Sequence, residues 1–206
     1  MKLDSTDSID KVRFDERGLV PVIAQHADTG EVLMLAYANR EALSRTLDTG
    51  LLWFYSRSRQ SLWQKGETSG NTQRLIELLL DCDGDAVLAR VLPAGPACHT
   101  GDRNCFGSAP TLQLLADVIA QRAEQGGTNS YTAKLLGDSN LRLKKLGEEA
   151  TELALACQSG SAERVRSEAA DLLYHILVAS AAEHVDLAEI FGELRGRLGG
   201  GGGGGG

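Results

Sequence analysis

The period of the apolar residues changes near residue 107, and that change requires a fold in two parts. Upstream, short apolar segments at 19–25, 33–37, 51–55, 74–81 and 87–92 are rich in Val, Ile, Leu and aromatic residues and are bounded by Gly, Asp or Asn. Such runs between turn residues predict β-strands. One helix is predicted over 39–49, with Asn39 as its N-cap and Gly50 as its stop. Downstream, apolar residues recur at helical spacing over 112–124, 130–136, 139–158, 162–184 and 187–198. Gly107-Ser108-Ala109-Pro110 separates the two patterns and reads as a linker. The expected architecture is a strand-rich α+β first domain over 1–106, a linker over 107–110 and an all-α helical-bundle domain over 111–198. The glycine run 199–206 has no side chains to bury and is read as a flexible tail outside the fold.

Composition narrows the function classes. With 42% hydrophobic and 24% charged residues the chain resembles ordinary globular protein. No apolar run approaches the roughly 20 residues of a membrane helix, so no membrane partner is expected. A net charge of -7 disfavours a nucleic-acid partner held by bulk electrostatics. The first ten residues are polar and acidic and lack a signal-peptide pattern, which predicts a cytoplasmic protein. In a reducing compartment the four cysteines are ligands or core residues rather than disulfides.

Three of those cysteines interleave with three aspartates and a histidine: Asp81-Cys82-Asp83-Gly84-Asp85, then Gly95-Pro96-Ala97-Cys98-His99-Thr100-Gly101, then Cys105. Thiolates prefer zinc and clustered carboxylates prefer magnesium, so the segment reads as two metal sites side by side. The plainer alternative is an acidic turn flanked by buried cysteines. If strand continues through this region, Asp81, Asp83 and Asp85 share one face as magnesium ligands and Cys82 points to the other. A calcium loop does not fit, because its twelfth position is Leu92 rather than Glu. Cys82, Cys98 and Cys105 form no CxxC pair and have no fourth cysteine nearby. Three thiolates leave one zinc position open for water, as in a catalytic site, with His99 as candidate general acid or base. The polar stretch 56–71 supplies guanidinium, ammonium, hydroxyl and backbone donors suited to phosphate. Within it Arg57, Trp63, Lys65, Glu67, Ser69 and Gly70 are the candidate substrate contacts, although Trp63 fits a core position equally well.

Four motifs in order resemble the phosphoribosyl-AMP cyclohydrolase family: Trp53-Phe54-Tyr55-Ser56-Arg57-Ser58-Arg59, Leu62-Trp63-Gln64-Lys65-Gly66-Glu67-Thr68-Ser69-Gly70-Asn71, Asp81-Cys82-Asp83-Gly84-Asp85 and Gly95-Pro96-Ala97-Cys98-His99-Thr100-Gly101. The resemblance covers roughly residues 14–106. It implies zinc on Cys82, Cys98 and Cys105, magnesium on Asp81, Asp83 and Asp85, and a homodimer whose zinc ligands come from both subunits. Asn104 departs from the Ser expected before the last cysteine, at a position that is not a ligand.

In the helical half, Leu146, Ala150, Leu153, Ala154 and Cys157 form an apolar stripe, which predicts a core position for Cys157. Glu148 and Glu152 lie one turn apart on the polar side, with Glu149 at the stripe's edge. On the next helix Val165, Ala169, Leu172, Leu173 and Ile176 make a similar stripe, flanked by Glu168, Asp171 and His175. Two antiparallel helices so patterned bring four or five carboxylates towards one point, which calls for a cation. The plainer reading is two solvated, salt-bridged faces, because Lys144, Lys145, Arg164 and Arg166 are also present.

Ser130-Tyr131-Thr132-Ala133-Lys134-Leu135-Leu136, Lys145-Leu146-Gly147-Glu148-Glu149-Ala150-Thr151-Glu152 and Glu168-Ala169-Ala170-Asp171-Leu172-Leu173-Tyr174-His175 resemble the phosphoribosyl-ATP pyrophosphatase family. The resemblance implies magnesium on Glu148, Glu149, Glu152, Glu168 and Asp171, a catalytic role for Glu149, and phosphate contacts from Lys134 and Lys145. The two resemblances together imply a bifunctional hydrolase of histidine biosynthesis acting on phosphoribosyl nucleotides. Phosphoribosyl-ATP would lose pyrophosphate at the helical domain, and the adenine ring of the resulting phosphoribosyl-AMP would then open at the first. Three rivals are a helical domain serving only dimerisation or regulation, a zinc-stabilised binding module, and a hydrolase of non-standard nucleotides.

Overall fold

Val20, Val22 and Ala24 are buried and alternate with half-buried neighbours, and Val87, Ala89 and Val91 repeat the pattern. Side chains at period two face one core, so both runs form strands with a single buried side. The computed structural model describes residues 1–125 and 130–199, and the chain divides between Ala109 and Pro110 into two compact units. The expected glycine tail, apart from Gly199 at the end of the last helix, lies outside the described residues. No helix among the described residues is long and apolar enough to cross a membrane.

The first unit contains β1 (Lys2–Leu3), a 3₁₀ turn (Thr6–Lys11), β2 (Val20–His26), β3 (Val32–Ala38), α1 (Arg40–Thr49), β4 (Trp53–Ser56), β5 (Ser61–Gln64), β6 (Gln73–Leu80) and β7 (Val87–Pro93). Five strands form one sheet in the order β1-β6-β7-β2-β3, and β4 and β5 form a separate hairpin. Within the sheet β2 and β7 run parallel and the other neighbours antiparallel. The register aligns Leu80, Val87, Val22 and Ala36 in one row near one end of the sheet. Val91, His26 and the start of β3 lie near the other. The β6–β7 turn therefore projects from the first end, and the chain leaves β7 at the second.

Helix α1 begins and ends as its residues require: the Asn39 side chain accepts from Ala42 N at 2.8 Å, and Gly50 turns left-handed at φ 67. The core gathers Leu3, Ile9, Leu33, Leu43, Leu52, Phe54 and Leu78, with Trp63 packed on Phe54 at a centroid distance of 5.0 Å. Three elements escape the sequence reading. Strand β5 is too short and polar to show a period, while β1 and the 3₁₀ turn reach the core through single residues, Leu3 and Ile9, each 1% exposed.

The second unit is all helical, with α2 (Thr111–Gln125), α3 (Tyr131–Gly137), α4 (Ser139–Ser159), α5 (Ala162–Ala182) and α6 (Leu187–Gly199). Ser130, Asp138 and Ser161 cap α3, α4 and α5 through backbone N–H groups three residues on. Ile119, Leu135, Leu177, Val178 and Leu187 form the core. The fold class expected from the sequence, strand-rich then helical, is the one observed.

One packing expectation is overturned. Ala150, Ala154 and Cys157 are exposed, and the buried line along α4 is Arg142, Glu149 and Ala156. Cys157 is thus not a core residue. Polar groups occupy the inward line because each finds a partner there. Arg142 donates to the carbonyls of Leu135 and Leu136 at 3.1 Å, tying the end of α3 to α4, and pairs with Glu183 at 3.3 Å.

Phe54→Ala should cost about 3–5 kcal/mol of first-unit stability. Both tryptophans, Trp53 and Trp63, lie in that unit, so urea unfolding followed by tryptophan fluorescence checks the value directly.

Candidate metal centres

The three aspartates of the first unit meet in a turn, not along a strand. Strand β6 ends at Leu80, and Asp81 Oδ1 accepts backbone N–H bonds from Gly84 (2.9 Å), Asp85 (3.0 Å) and Ala86 (3.2 Å). The expected alternation of faces is therefore wrong, yet Asp81, Asp83 and Asp85 still offer oxygen atoms all within 4.8 Å of one another. Arg13 braces the turn from outside, its N–H donating to Gly84 O at 2.7 Å and its guanidinium to Asp83 O at 3.2 Å. Burial alone would raise the Asp81 carboxyl, but the N–H donors of Ala86 and Gly84 outweigh it and hold it below its usual value. An anionic, preassembled oxygen set of this kind fits a hard divalent cation. Cys82 sits exposed in the same turn.

Beyond β7, a tight loop carries the other two thiols. Cys98 N donates to Asp102 O and Ala97 N to Arg103 O, both at 3.0 Å. Thr100 Oγ1 donates to Cys98 Sγ at 3.1 Å, and this bond lowers the Cys98 thiol from its ordinary value. Cys105 is anchored through its N–H to Leu33 O at 2.8 Å and lies within hydrogen-bonding reach of Cys98. Burial first, and then the Cys98 charge, raise its thiol, with nearby Lys65 opposing. His99 is exposed, its Nδ1 3.8 Å from Cys98 Sγ. The pairing of Cys98 with Cys105 and the thiolate-favouring bond from Thr100 suit a soft cation.

Cys82 does not join this pair within one chain. The seven residues of β7 separate the two loops, and at the rise of an extended strand that is about 20 Å. Asn104, read from sequence as incidental, proves structural. It is buried, donates to Glu31 and to Ser108 O (2.8 Å), and accepts from Phe106 N (2.7 Å). Glu31, 1% exposed, also meets Arg103 at 3.0 Å, so the β2–β3 turn fixes the segment bearing Cys105. The sequence carried no signal for Glu31, a charged residue in a turn.

The other substrate candidates fall into two groups. Lys65, Glu67, Ser69 and Gly70 lie in the loop after β5, which orders itself: Glu67 accepts from Gln64 N at 3.2 Å, Ser69 Oγ from Asn71 N at 3.3 Å, and Gly70 N donates to Gly66 O at 2.9 Å. Gly66, at φ 85, lies against the Asn71 and Thr72 backbone where a Cβ would collide. Arg57 and Trp63 instead line a cleft of about 670 Å³ on the β4–β5 hairpin.

In the second unit Glu149, Glu152 and Glu168 converge across α4 and α5, with ligand oxygens all within 4.8 Å. Glu149 is buried, and Lys145 Nζ (3.1 Å) and His175 Nε2 (3.8 Å) both approach its Oε1. Lys145 also bonds Glu148 at 3.0 Å. The hydrogen bond to Lys145 lowers the Glu148 carboxyl, and those to Glu148 and then Glu149 raise Lys145. Glu148 thus faces the lysines and Asp171 faces solvent, so neither belongs to the converging trio. A trio with one buried member fits a hard cation better than a solvated helix face does. His175 was noted only as a flanking residue. It is 4% exposed and edge-on to Tyr131 and Tyr174. Lys134 lies apart from the trio's contacts, with Arg122 and His184 around a cavity of about 760 Å³.

Comparison with known proteins gives the same division. Residues 34–107 match the phosphoribosyl-AMP cyclohydrolase family and residues 112–197 the phosphoribosyl-ATP pyrophosphohydrolase family. The chain is 55% identical over 180 residues to the "Histidine biosynthesis bifunctional protein HisIE" of Thermus thermophilus, covering 82% of this chain and 84% of that protein. Proteins of the same description from a Nostoc species (47% over 200 residues, 92% and 93% covered) and Bacillus subtilis (45% over 199 residues, 91% and 95%) are also similar. This chain therefore belongs to the family of bifunctional histidine-biosynthesis hydrolases that join a phosphoribosyl-AMP cyclohydrolase to a phosphoribosyl-ATP pyrophosphohydrolase.

Proposed function

We propose that the first unit opens the adenine ring at a zinc site shared between two copies of the chain, Cys82 coming from one and Cys98 and Cys105 from the other. The observation that carries this reading is the length of β7, which keeps Cys82 away from the Cys98–Cys105 pair in a single chain. A three-thiolate site needs a second copy. When bound, zinc supplies the Lewis acidity that brings the pKa of a water near neutrality. His99, exposed beside Cys98, takes the proton released as water oxygen bonds to C6 of the ring. The N1–C6 bond then breaks, and the same imidazole returns a proton to N1. The ribosyl group on N1 makes the ring cationic and more electrophilic. Asp81, Asp83 and Asp85 are the proposed magnesium ligands of this unit, and Arg57, Trp63, Lys65, Glu67, Ser69 and Gly70 its substrate contacts.

For the second unit we propose that Glu149, Glu152 and Glu168 would hold magnesium, with Glu148 and Asp171 beside them as the further candidate ligands. Magnesium there supplies charge neutralisation for the triphosphate. Glu149, gripped on one oxygen by Lys145, orients the attacking water, while Lys145 and Lys134 meet the phosphates. A homodimer is further supported by apolar side chains exposed on α4 and α5, among them Leu143, Leu155, Leu173 and Ile176. Ligand thiols of this kind persist in a reducing cytoplasm, where we assign the protein.

Four results are expected. Incubated with phosphoribosyl-ATP, magnesium and zinc, the purified chain yields the ring-opened imidazole carboxamide nucleotide by chromatography. Accumulation of phosphoribosyl-AMP would contradict the assignment for the first unit. Cys98→Ala abolishes ring opening and leaves pyrophosphate release intact, and Glu149→Gln does the reverse; loss of both activities in either folded variant rules out two independent sites. Mixing unfolded Cys82→Ala and Cys98→Ala chains and refolding them together restores ring opening that neither has alone, because a mixed dimer assembles one intact thiolate set. A zinc site within one chain would show no such recovery.

A further inference from the structure

The hairpin joining β4 to β5 carries the sequence Ser56-Arg57-Ser58-Arg59-Gln60. It closes tightly, with Gln60 in the left-handed region at φ 50 and Ser56 Oγ accepting from Arg59 N at 3.2 Å. Arg59 Nε also lies 3.4 Å from that hydroxyl, and Ser58 Oγ lies 3.4 Å from it. The Arg57 guanidinium rests on the Tyr37 ring, 4.0 Å from its centroid. Stacking fixes the plane of a guanidinium and leaves its edge donors free. Among the described residues neither arginine has a carboxylate partner, although the chain carries a net charge of -7. Two unneutralised guanidinium groups, two serine hydroxyls and three aromatic side chains (Tyr37, Tyr55 and Trp63) line the same cleft of about 670 Å³.

The register locates this cleft. Tyr37 pairs with Pro21, next to the row Ala36, Val22, Val87 and Leu80 from which the Asp81–Asp85 turn projects. Two strand spacings, about 10 Å, separate β3 from β7 in that row. Lys65, by contrast, lies near Cys105 at the opposite end.

We infer that Arg57 and Arg59, with Ser56 and Ser58, form a clamp for one phosphate monoester of the phosphoribosyl nucleotide, Tyr37 acting as the positioning residue for Arg57. The clamp belongs to the subunit that contributes Cys82, so Lys65 and the clamp hold the substrate from different chains. This rests on the ring-opening reading of the first unit. Paired guanidinium groups match a dianionic phosphate in geometry and charge.

The test uses the full zinc-loaded chain and phosphoribosyl-AMP. The Arg57→Ala/Arg59→Ala variant should raise KM on the order of 10- to 100-fold, with kcat little changed, because a charge-assisted contact made equally in ground and transition states is lost. The zinc content and the pyrophosphate release of the second unit should stay at wild-type levels. Arg57→Lys/Arg59→Lys should recover part of the loss, and Tyr37→Leu should raise KM through Arg57 alone, adding nothing in the Arg57→Ala background. Two substrates, each lacking one phosphate, complete the measurement. On one of them wild type and variant should have the same raised KM. An unchanged KM, a loss confined to kcat, or an equal further loss on both truncated substrates overturns the clamp. A wild-type chain that opens no ring overturns the catalytic reading and the clamp with it, a result distinct from an active wild type with an unaffected variant.

Discussion

The span of β7 governs the layout of the first unit. Its inward residues Val87, Ala89 and Val91 lock it between β6 and β2, so its ends cannot approach one another. One end opens from the acidic turn with Cys82, and the other leads into the loop of Cys98 and Cys105. Asp81, Cys82, Asp83 and Asp85 lie at one end of that strand, and Cys98, His99 and Cys105 follow the other. The β6–β7 ladder is thus a spacer as much as a core element.

The two acidic clusters reach similar geometry by different physics. In the first unit a single aspartate oxygen gathers three backbone N–H groups, and the turn it closes carries the other two carboxylates. In the second, two helices supply the carboxylates, and the half-buried Lys145 offsets the charge of the buried Glu149. The first arrangement depends on local backbone hydrogen bonds, while the second depends on helix packing across α4 and α5.

Much of this was legible in the sequence because the relevant signals are local. The change of period near residue 107, the Asn39 cap and the Gly50 stop each depend on a few neighbouring residues. The three aspartates were grouped correctly for the wrong reason, since a strand and an Asx-type turn both bring alternate residues to one side. Tertiary context defeated the rest. Cys157 lies on an apolar stripe, yet α4 turns Arg142 and Glu149 inward, because buried carbonyls and Lys145 satisfy them there. Glu31 and Asn104 looked like ordinary turn residues, and only the long-range contact between them reveals how Cys105 is held.

The proposed division of one thiolate set between two chains would have a thermodynamic consequence. Metal capture and subunit association would become a single linked equilibrium, each adding to the apparent free energy of the other. Dilution would then shed metal from the assembled protein, and a chelator would act as a dissociating agent as well as an inhibitor. Metal supply in the cell would set how much of the chain exists as a competent pair.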